Sequence, residues 1–199
     1  MSTLRIVGGA LGGRRFSGPR KGEVRPTSER VREAVASALE ARDAIEGALV
    51  LDLFAGTGAL AFEALSRGAR AATLVEGDHR VARALDRAAR QLGLAERTRV
   101  RRVDLLGARD RIARALSTDG PFTLVFADPP YAEIDRLPAL LGALIESAVI
   151  APGARVVVEH AARGADPSLP LASIARYRYG DTAIALGEAP RPGQEKSTP

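Results

Sequence analysis

Ala48-Leu49-Val50-Leu51-Asp52-Leu53 runs into Phe54-Ala55-Gly56-Thr57-Gly58 and on into Ala59-Leu60-Ala61-Phe62-Glu63-Ala64-Leu65. The first six residues are almost continuously apolar, the pattern of a strand buried on both faces. Two glycines one residue apart let the backbone reverse tightly and approach a ligand closely. The alanine- and leucine-rich segment that follows predicts a helix over residues 59–67. Strand, glycine-bearing turn and helix in that order open a parallel α/β sheet.

The alternation continues toward the C-terminus. Strands are expected over residues 72–76, 98–103, 122–127 and 155–159, and helices over 78–92, 106–116 and 135–147. Residues 174–186 read as a hairpin turning at Gly180-Asp181. It would add an antiparallel strand at one edge. Toward the N-terminus, Leu4-Arg5-Ile6-Val7, the glycines between Gly8 and Gly13, and Arg14-Arg15-Phe16 read as a second hairpin. A loop over 17–26 follows, and then a helix capped by Thr27 or Ser28 with Glu29 in its first turn. The expected fold is α/β: a mostly parallel, doubly wound, Rossmann-like sheet with an antiparallel edge strand and an N-terminal β-hairpin arm. The expected parts are a basic arm over 1–26, the main domain over 27–187 and a disordered, proline-bearing tail over 188–199.

Composition narrows the class. The 199 residues suit one domain, with 46% hydrophobic and 27% charged residues. No apolar run is long enough to span a membrane. No secretory leader is visible at the N-terminus, so a cytoplasmic protein is expected. Cysteine is absent, which excludes disulfides, thiolate metal sites and thiol catalysis. No metal site is expected. The net charge of +5 is uneven: residues 1–32 carry +6 and the remainder −1. Of the 29 basic residues 27 are arginine, the better fork for phosphate. A basic arm on a near-neutral body suits a polyanion partner, although a solvated surface would look the same. The run Arg97, Arg99, Arg101, Arg102 is open to both readings as well.

Chemistry concentrates at strand ends, where open α/β sheets bind ligands. Gly56-x-Gly58-x-x-Ala61 formally matches the dinucleotide fingerprint, and Glu76, 20 residues after Gly56, can accept both hydroxyls of a ribose. NAD and S-adenosylmethionine both fit these features. Asp52 favours the second, because a carboxylate repels a pyrophosphate and attracts a sulfonium or an α-ammonium. Asp104 can accept from an adenine amino group or cap the next helix.

Asp128-Pro129-Pro130-Tyr131 follows the expected fourth strand. A proline pair can simply stop a strand. This tetrapeptide also suits methylation of an exocyclic amine on a planar base. Such a nitrogen is a poor nucleophile because its lone pair is delocalised into the ring. Hydrogen bonds from its two N–H groups to Asp128 and to the Pro129 carbonyl would localise that lone pair. Two prolines stiffen the turn and add no competing N–H. Tyr131 could stack on the base, and a base in folded nucleic acid would first be turned out.

With these motifs placed, the chain resembles the bacterial 16S rRNA guanine-N2 methyltransferases that use S-adenosylmethionine. The resemblance covers residues 4–187 and rests on several motifs. They are Leu4-Arg5-Ile6-Val7-Gly8-Gly9, Gly12-Gly13-Arg14-Arg15-Phe16, the stretch from Arg25-Pro26-Thr27 to Glu33, the stretch from Leu51 to Leu60 with its loop Asp52 to Gly58, the stretch from Glu63 to Ala69, Val75-Glu76, Asp128-Pro129-Pro130-Tyr131 and Tyr179-Gly180-Asp181-Thr182. It implies a class I methyltransferase fold and an rRNA substrate within a 30S particle or an assembly intermediate. It also implies a monomer without membrane association. The cofactor set it implies is Thr27, Asp52, Phe54, Ala55, Gly56, Gly58, Glu76, Asp104, Leu105 and Asp128. The catalytic set is Asp128, Pro129, Pro130 and Tyr131, and the RNA-contacting set is Arg5, Arg14, Arg15, Arg20, Arg25 and Arg30. The chain departs from the family pattern at Phe16 and at Ser28-Glu29, and the family varies at the position of Asp104. Two alternatives stand beside this reading: a DNA adenine or cytosine amine methyltransferase, and an inactive RNA-binding assembly factor. An NAD oxidoreductase is the weakest option.

Overall fold

Val50, Leu51 and Leu53 have no solvent exposure, as a strand covered on both faces requires. The computed structural model describes residues 2–19 and 27–191, apart from the Tyr131 side chain. The chain divides into two compact units, Met1–Val103 and Asp104–Pro199.

In the first unit β1 (Thr3–Arg5) and β2 (Arg15–Ser17) pair antiparallel, Leu4 facing Phe16. A single 3-10 turn over Gly9–Leu11 joins them. Helix α1 (Glu29–Glu40) starts at Ser28, whose hydroxyl accepts from the Val31 N–H at 3.3 Å. Strand β3 (Leu49–Leu53), helix α2 (Ala59–Ser66), strand β4 (Ala71–Val75), helix α3 (His79–Leu92) and strand β5 (Thr98–Arg101) follow. The strands are parallel in the order β5-β4-β3. Asp78 caps α3 by accepting from the Arg80 and Val81 N–H groups at 2.7 and 3.0 Å. These two bonds hold its carboxyl below the usual aspartate value.

The arm is packed against this unit. Phe16 is 1% exposed and meets Phe62 of α2 edge-on at 5.4 Å between ring centroids. The backbone approach is close enough to require glycine. At Gly9, φ is +73° and a Cβ would overlap the Ser66 carbonyl oxygen.

The second unit holds α4 (Arg109–Leu116), β6 (Phe122–Ala127), α5 (Leu137–Glu146), β7 (Ile150–Ala161), β8 (Ala172–Tyr179) and β9 (Thr182–Glu188). Strands β6 and β7 are parallel, and β9 is antiparallel to both β7 and β8. The expected C-terminal hairpin therefore supplies the antiparallel strand, which lies between β7 and β8. Glu188 pairs with Arg155 in the β9 ladder and Ala189 is fully buried; residues 192–199 of the expected tail lie outside the described residues.

Several elements differ from the sequence reading. Helix α4 begins at Arg109 rather than at residue 106, because the Asp104 carboxylate takes the Leu106 N–H at 2.9 Å in a local turn. Residues 131–136 form a 3-10 turn, and α5 starts only at Leu137 with proline in its first turn. Strand β7 starts at Ile150, five residues early. Pro152-Gly153 lies inside it with Gly153 at φ +78°. Backbone bonds from the Gly153 N–H to the Ala189 oxygen and from the Ala189 N–H to the Ala154 oxygen, 2.9 Å each, hold that irregular stretch.

Candidate functional site

In the first unit β3 delivers the loop 54–58. Phe54 has φ +60°, a left-handed conformation that costs a non-glycine residue about 1–2 kcal/mol. Strain of this kind persists where surrounding bonds hold it in place. Here the Ala55 N–H donates to the Val75 oxygen at 2.9 Å and the Gly58 N–H to the Ala55 oxygen at 2.7 Å. The Gly56 N–H donates to Glu76 Oε2 at 3.1 Å, and the other carboxylate oxygen of Glu76 accepts from the Asp78 N–H at 2.9 Å. The two residues that the sequence spaced 20 apart are thus joined by a hydrogen bond. Among the described residues each Glu76 oxygen accepts this one hydrogen bond, and a carboxylate oxygen has a second lone pair.

Gly58 has a packing role. A Cβ there would sit 2.7 Å from the Phe62 ring, 2.8 Å from Leu85 and 3.0 Å from Leu74. Its absence lets α2 lie close to the strands. Asp52 is 3% exposed in β3. The Thr27 carbonyl accepts from an Arg32 guanidinium nitrogen at 2.8 Å, which places the residue beside the start of α1.

The second unit carries the other expected group. Strand β6 is buried at five of its six positions and delivers Asp128 half-buried, Pro129 buried and Pro130 exposed. Pro130 has φ −52° and ψ 141°, and its carbonyl accepts from the Glu133 N–H at 2.8 Å. The segment is therefore a stiff extended turn that closes into one 3-10 stretch. Tyr131 begins that stretch.

Asp104 differs from expectation. The third strand ends at Arg101, so Asp104 lies three residues beyond it and is exposed. It does not cap α4 either: the residue before that helix is Ala108. One carboxylate oxygen is engaged by Leu106, and Leu105 beside it is 8% exposed.

The arginines separate by environment. Arg5 pairs with Glu29 at 2.5 Å on the surface. Arg14 donates to the Leu92 and Gln91 carbonyls at 3.2 and 3.5 Å, covering the C-terminal end of α3. Arg15 and Arg30 are exposed, while Arg20 and Arg25 lie outside the described residues. Arg97 donates to the Leu65, Ala69 and Arg70 carbonyls, so it closes the end of α2. Among the described residues no cluster of His, Asp or Glu could hold a metal ion.

A buried junction was not foreseen. Glu63 of α2, 3% exposed, accepts from the Val7 and Gly8 N–H groups of the arm at 2.5 and 3.3 Å. Arg32 of α1, 2% exposed, lies 3.5 Å from Glu63 and donates to the Thr27 and Arg5 carbonyls at 2.8 and 2.7 Å. The Ser66 hydroxyl accepts from the Leu11 N–H at 2.9 Å and donates to the Gly8 carbonyl at 2.5 Å. Arg67 reaches Glu33 at 2.6 Å, Glu40 at 2.8 Å and Glu63 at 3.8 Å. Burial disfavours its charge, but these carboxylates outweigh that and raise its pKa. The available signal was one acid, Glu63, inside an otherwise apolar helix.

Comparison with known proteins places the chain. The family model described as Conserved hypothetical protein 95 matches residues 4–188. The ribosomal RNA small subunit methyltransferase D of Escherichia coli K12 is 33% identical over 169 residues, which are 84% of this chain and 79% of that protein. Among solved structures, a hypothetical protein of Thermus thermophilus superposes with TM-score 0.74 at 34% identity, covering 93% of this chain and 99% of the other. An RNA methyltransferase from Salinibacter ruber, solved with S-adenosyl-L-homocysteine, shares the fold with TM-score 0.62 at 20% identity, covering 87% and 98%. On the match over residues 4–188 and the identity to the Escherichia coli enzyme, the chain belongs to the Conserved hypothetical protein 95 family, the methyltransferase family of ribosomal RNA small subunit methyltransferase D.

Proposed function

We propose that the chain transfers a methyl group from S-adenosylmethionine to the N2 amine of one guanine in 16S rRNA. The substrate is the small subunit or an assembly intermediate, and the enzyme acts as a cytoplasmic monomer. The observation that carries this reading is the hydrogen bond from Gly56 to Glu76. It presents a carboxylate with unused lone pairs next to a strained, glycine-bearing loop, the acceptor set a ribose diol needs. The relatives' names support the rRNA substrate.

The residues present fit the cofactor. Glu76 would take the ribose hydroxyls, Asp52 the cationic end, and the backbone of 54–58 would line the site. Asp104 retains one carboxylate oxygen for an adenine amino group. When bound, S-adenosylmethionine supplies an electrophilic methyl group on a sulfonium. Asp128 and the Pro129 carbonyl would accept the two N–H bonds of the guanine amine, which localises its lone pair on nitrogen. The proline pair keeps that acceptor geometry from relaxing, so catalysis is mainly positioning. Tyr131 is assigned the stacking role. The arm and its arginines would engage the RNA backbone. Among the described residues no helix is long and apolar enough to cross a membrane.

The test is Asp128→Ala. Methyl transfer to 30S particles lacking the modification should fall by about 10²-fold or more. S-adenosylhomocysteine binding by calorimetry should stay within about twofold of wild type, since cofactor contacts at Asp52 and Glu76 remain intact. Full methylation by the variant would remove Asp128 from the mechanism. A labelled methyl group accepted by DNA and not by rRNA would replace the substrate. Absence of any cofactor binding by the wild-type protein would replace the enzyme with an assembly factor.

A further inference from the structure

Helix α3 turns Val81, Leu85, Ala88 and Leu92 inward and leaves Arg80, Arg83, Arg87 and Arg90 exposed. At about 100° per residue these four arginines fall within about 80° of one another on the helix surface. They span about 15 Å at 1.5 Å per residue. They form one basic stripe.

Among the described residues little accounts for it. Arg83, Arg87 and Arg90 make no hydrogen bond or ion pair among the described residues, and Arg80 faces only Asp78, whose carboxylate is bound to the helix N–H groups. Asp86, the one acid within the helix, sits on the flank of the stripe. Like charges three and four residues apart repel along a helix. Arg80 also stands in the first turn, where positive charge opposes the helix dipole. Arg90 in the last turn suits the dipole, and Asp86 stands three residues from Arg83 and four from Arg90. The opposition therefore falls on Arg80 and on the Arg80–Arg83–Arg87 repulsion, which an external anion would relieve.

The arm extends this surface. The Ser17 N–H donates to Gln91 Oε1 at 2.9 Å and the Gln91 side-chain amide donates to the Arg15 carbonyl at 3.5 Å, so β2 lies along the C-terminal part of α3. Arg14 and Arg15 thereby continue the row. Apart from His79 at the start of α3, neither α3 nor β2 presents an exposed ring for stacking on bases. Such a surface reads backbone charge and not sequence.

We propose that the exposed face of α3, together with Arg14 and Arg15 of the arm, is a docking surface for the phosphate backbone of the RNA substrate away from the modified nucleotide. This rests on the reading of the chain as an rRNA methyltransferase and names the surface that would hold its substrate.

The test compares wild type with R80Q/R83Q/R87Q/R90Q and with the four corresponding Arg→Lys changes. Binding to 30S subunits lacking the modification is followed from about 50 to about 200 mM salt. Each lost phosphate contact should lower the log–log salt slope by about one, so the Gln variant should lose about three to four. Its Kd and its KM for the subunit at about 50 mM salt should rise by about tenfold or more. The Lys variant should keep most of the slope, since phosphate accepts a point charge. If the fourfold Gln variant does not fold, R83Q/R87Q should show about half the slope change.

An unchanged slope and KM in a Gln variant, while wild type binds and methylates the subunits, overturns this surface and leaves the enzyme reading intact. A Lys variant as defective as the Gln variant also overturns it, because charge would not be the cause. Wild type that neither binds nor methylates 30S subunits overturns both. Stripe-dependent binding to phosphatidylglycerol vesicles, tighter than to 30S subunits, overturns it in favour of a membrane surface.

Discussion

Two groups of arginines lie within the same unit and behave oppositely. Arg32 and Arg67 are buried against Glu63, Glu33, Glu40 and backbone carbonyls, where they join α1, α2 and the arm. Arg83, Arg87 and Arg90 are exposed on α3 with no hydrogen bond or ion pair among the described residues, and Arg80 beside them faces Asp78. The first group fixes where the arm sits, and the second lies beside that arm. The difference teaches that a net charge says little about partners until each cation has been followed to its acceptors. Of the arginines that made the first 32 residues look basic, Arg32 is wholly internal and Arg5 is paired with Glu29. Exposed arginines without an acceptor among the described residues stand on α3 instead.

The comparison breaks most visibly at Glu63. Glu63→Ala removes the carboxylate that two buried guanidinium groups share and leaves the two arm N–H groups without their acceptor. Removing one partner of a buried ion pair costs about 3–5 kcal/mol, and urea unfolding should report a loss of that size. The fourfold Gln change on α3 should move stability little, because exposed substitutions are each worth about 0.5 kcal/mol or less in either direction. A loss under about 1 kcal/mol for Glu63→Ala would mean that the junction does not hold the arm.

A smaller effect is expected at Gly9. An alanine there runs into the Ser66 carbonyl and adopts φ +73°. The backbone penalty alone is about 1–2 kcal/mol, and relieving the clash would pull the arm from α2. Hydrogen exchange at Ile6 and Gly13, bonded across the hairpin and to its neighbours, should speed up while exchange in β3 and β4 stays slow. Equal acceleration in both places would show that the arm and the sheet open together.

How much of this could be read beforehand depends on the range of the forces involved. The strand–loop–helix at 49–66 was legible because apolar runs and paired glycines report local burial and local φ. The hairpins at both ends were legible for the same reason. The stiff extended turn at Asp128-Pro129-Pro130 was legible because proline constrains its own backbone. Asp104 was misplaced because a side-chain-to-backbone bond over two residues overrode the strand and helix patterns. Strand β7 was cut short because Pro152-Gly153 is ordinarily a turn signal, and its support comes from Ala189, a partner 36 residues away. The Arg32–Glu63 contact spans 31 residues and carries no periodicity. It becomes visible only when α1 and α2 are packed.

The smallest expected effect separates surface from buried charge. Arg5 and Glu29 are both about half exposed, with side chains 51% and 46% accessible. The hydrogen bond from Arg5 holds the Glu29 carboxyl below its ordinary value of 4.5. A carboxyl depressed in the folded state contributes stability above its unfolded pKa, and that contribution is lost as pH falls through the folded value. The gap in melting temperature between wild type and Glu29→Gln should therefore be complete above pH 4.5 and close below it. It should also shrink when salt is raised at neutral pH, since the pair is open to counterions. The deficit of Glu63→Ala should change little with salt, because its partners are 2% and 7% exposed and poorly screened. Equal salt dependence in the two variants would mean that water and ions reach the junction. The arm would then be loosely seated, and the basic row that it shares with α3 would lose its fixed register.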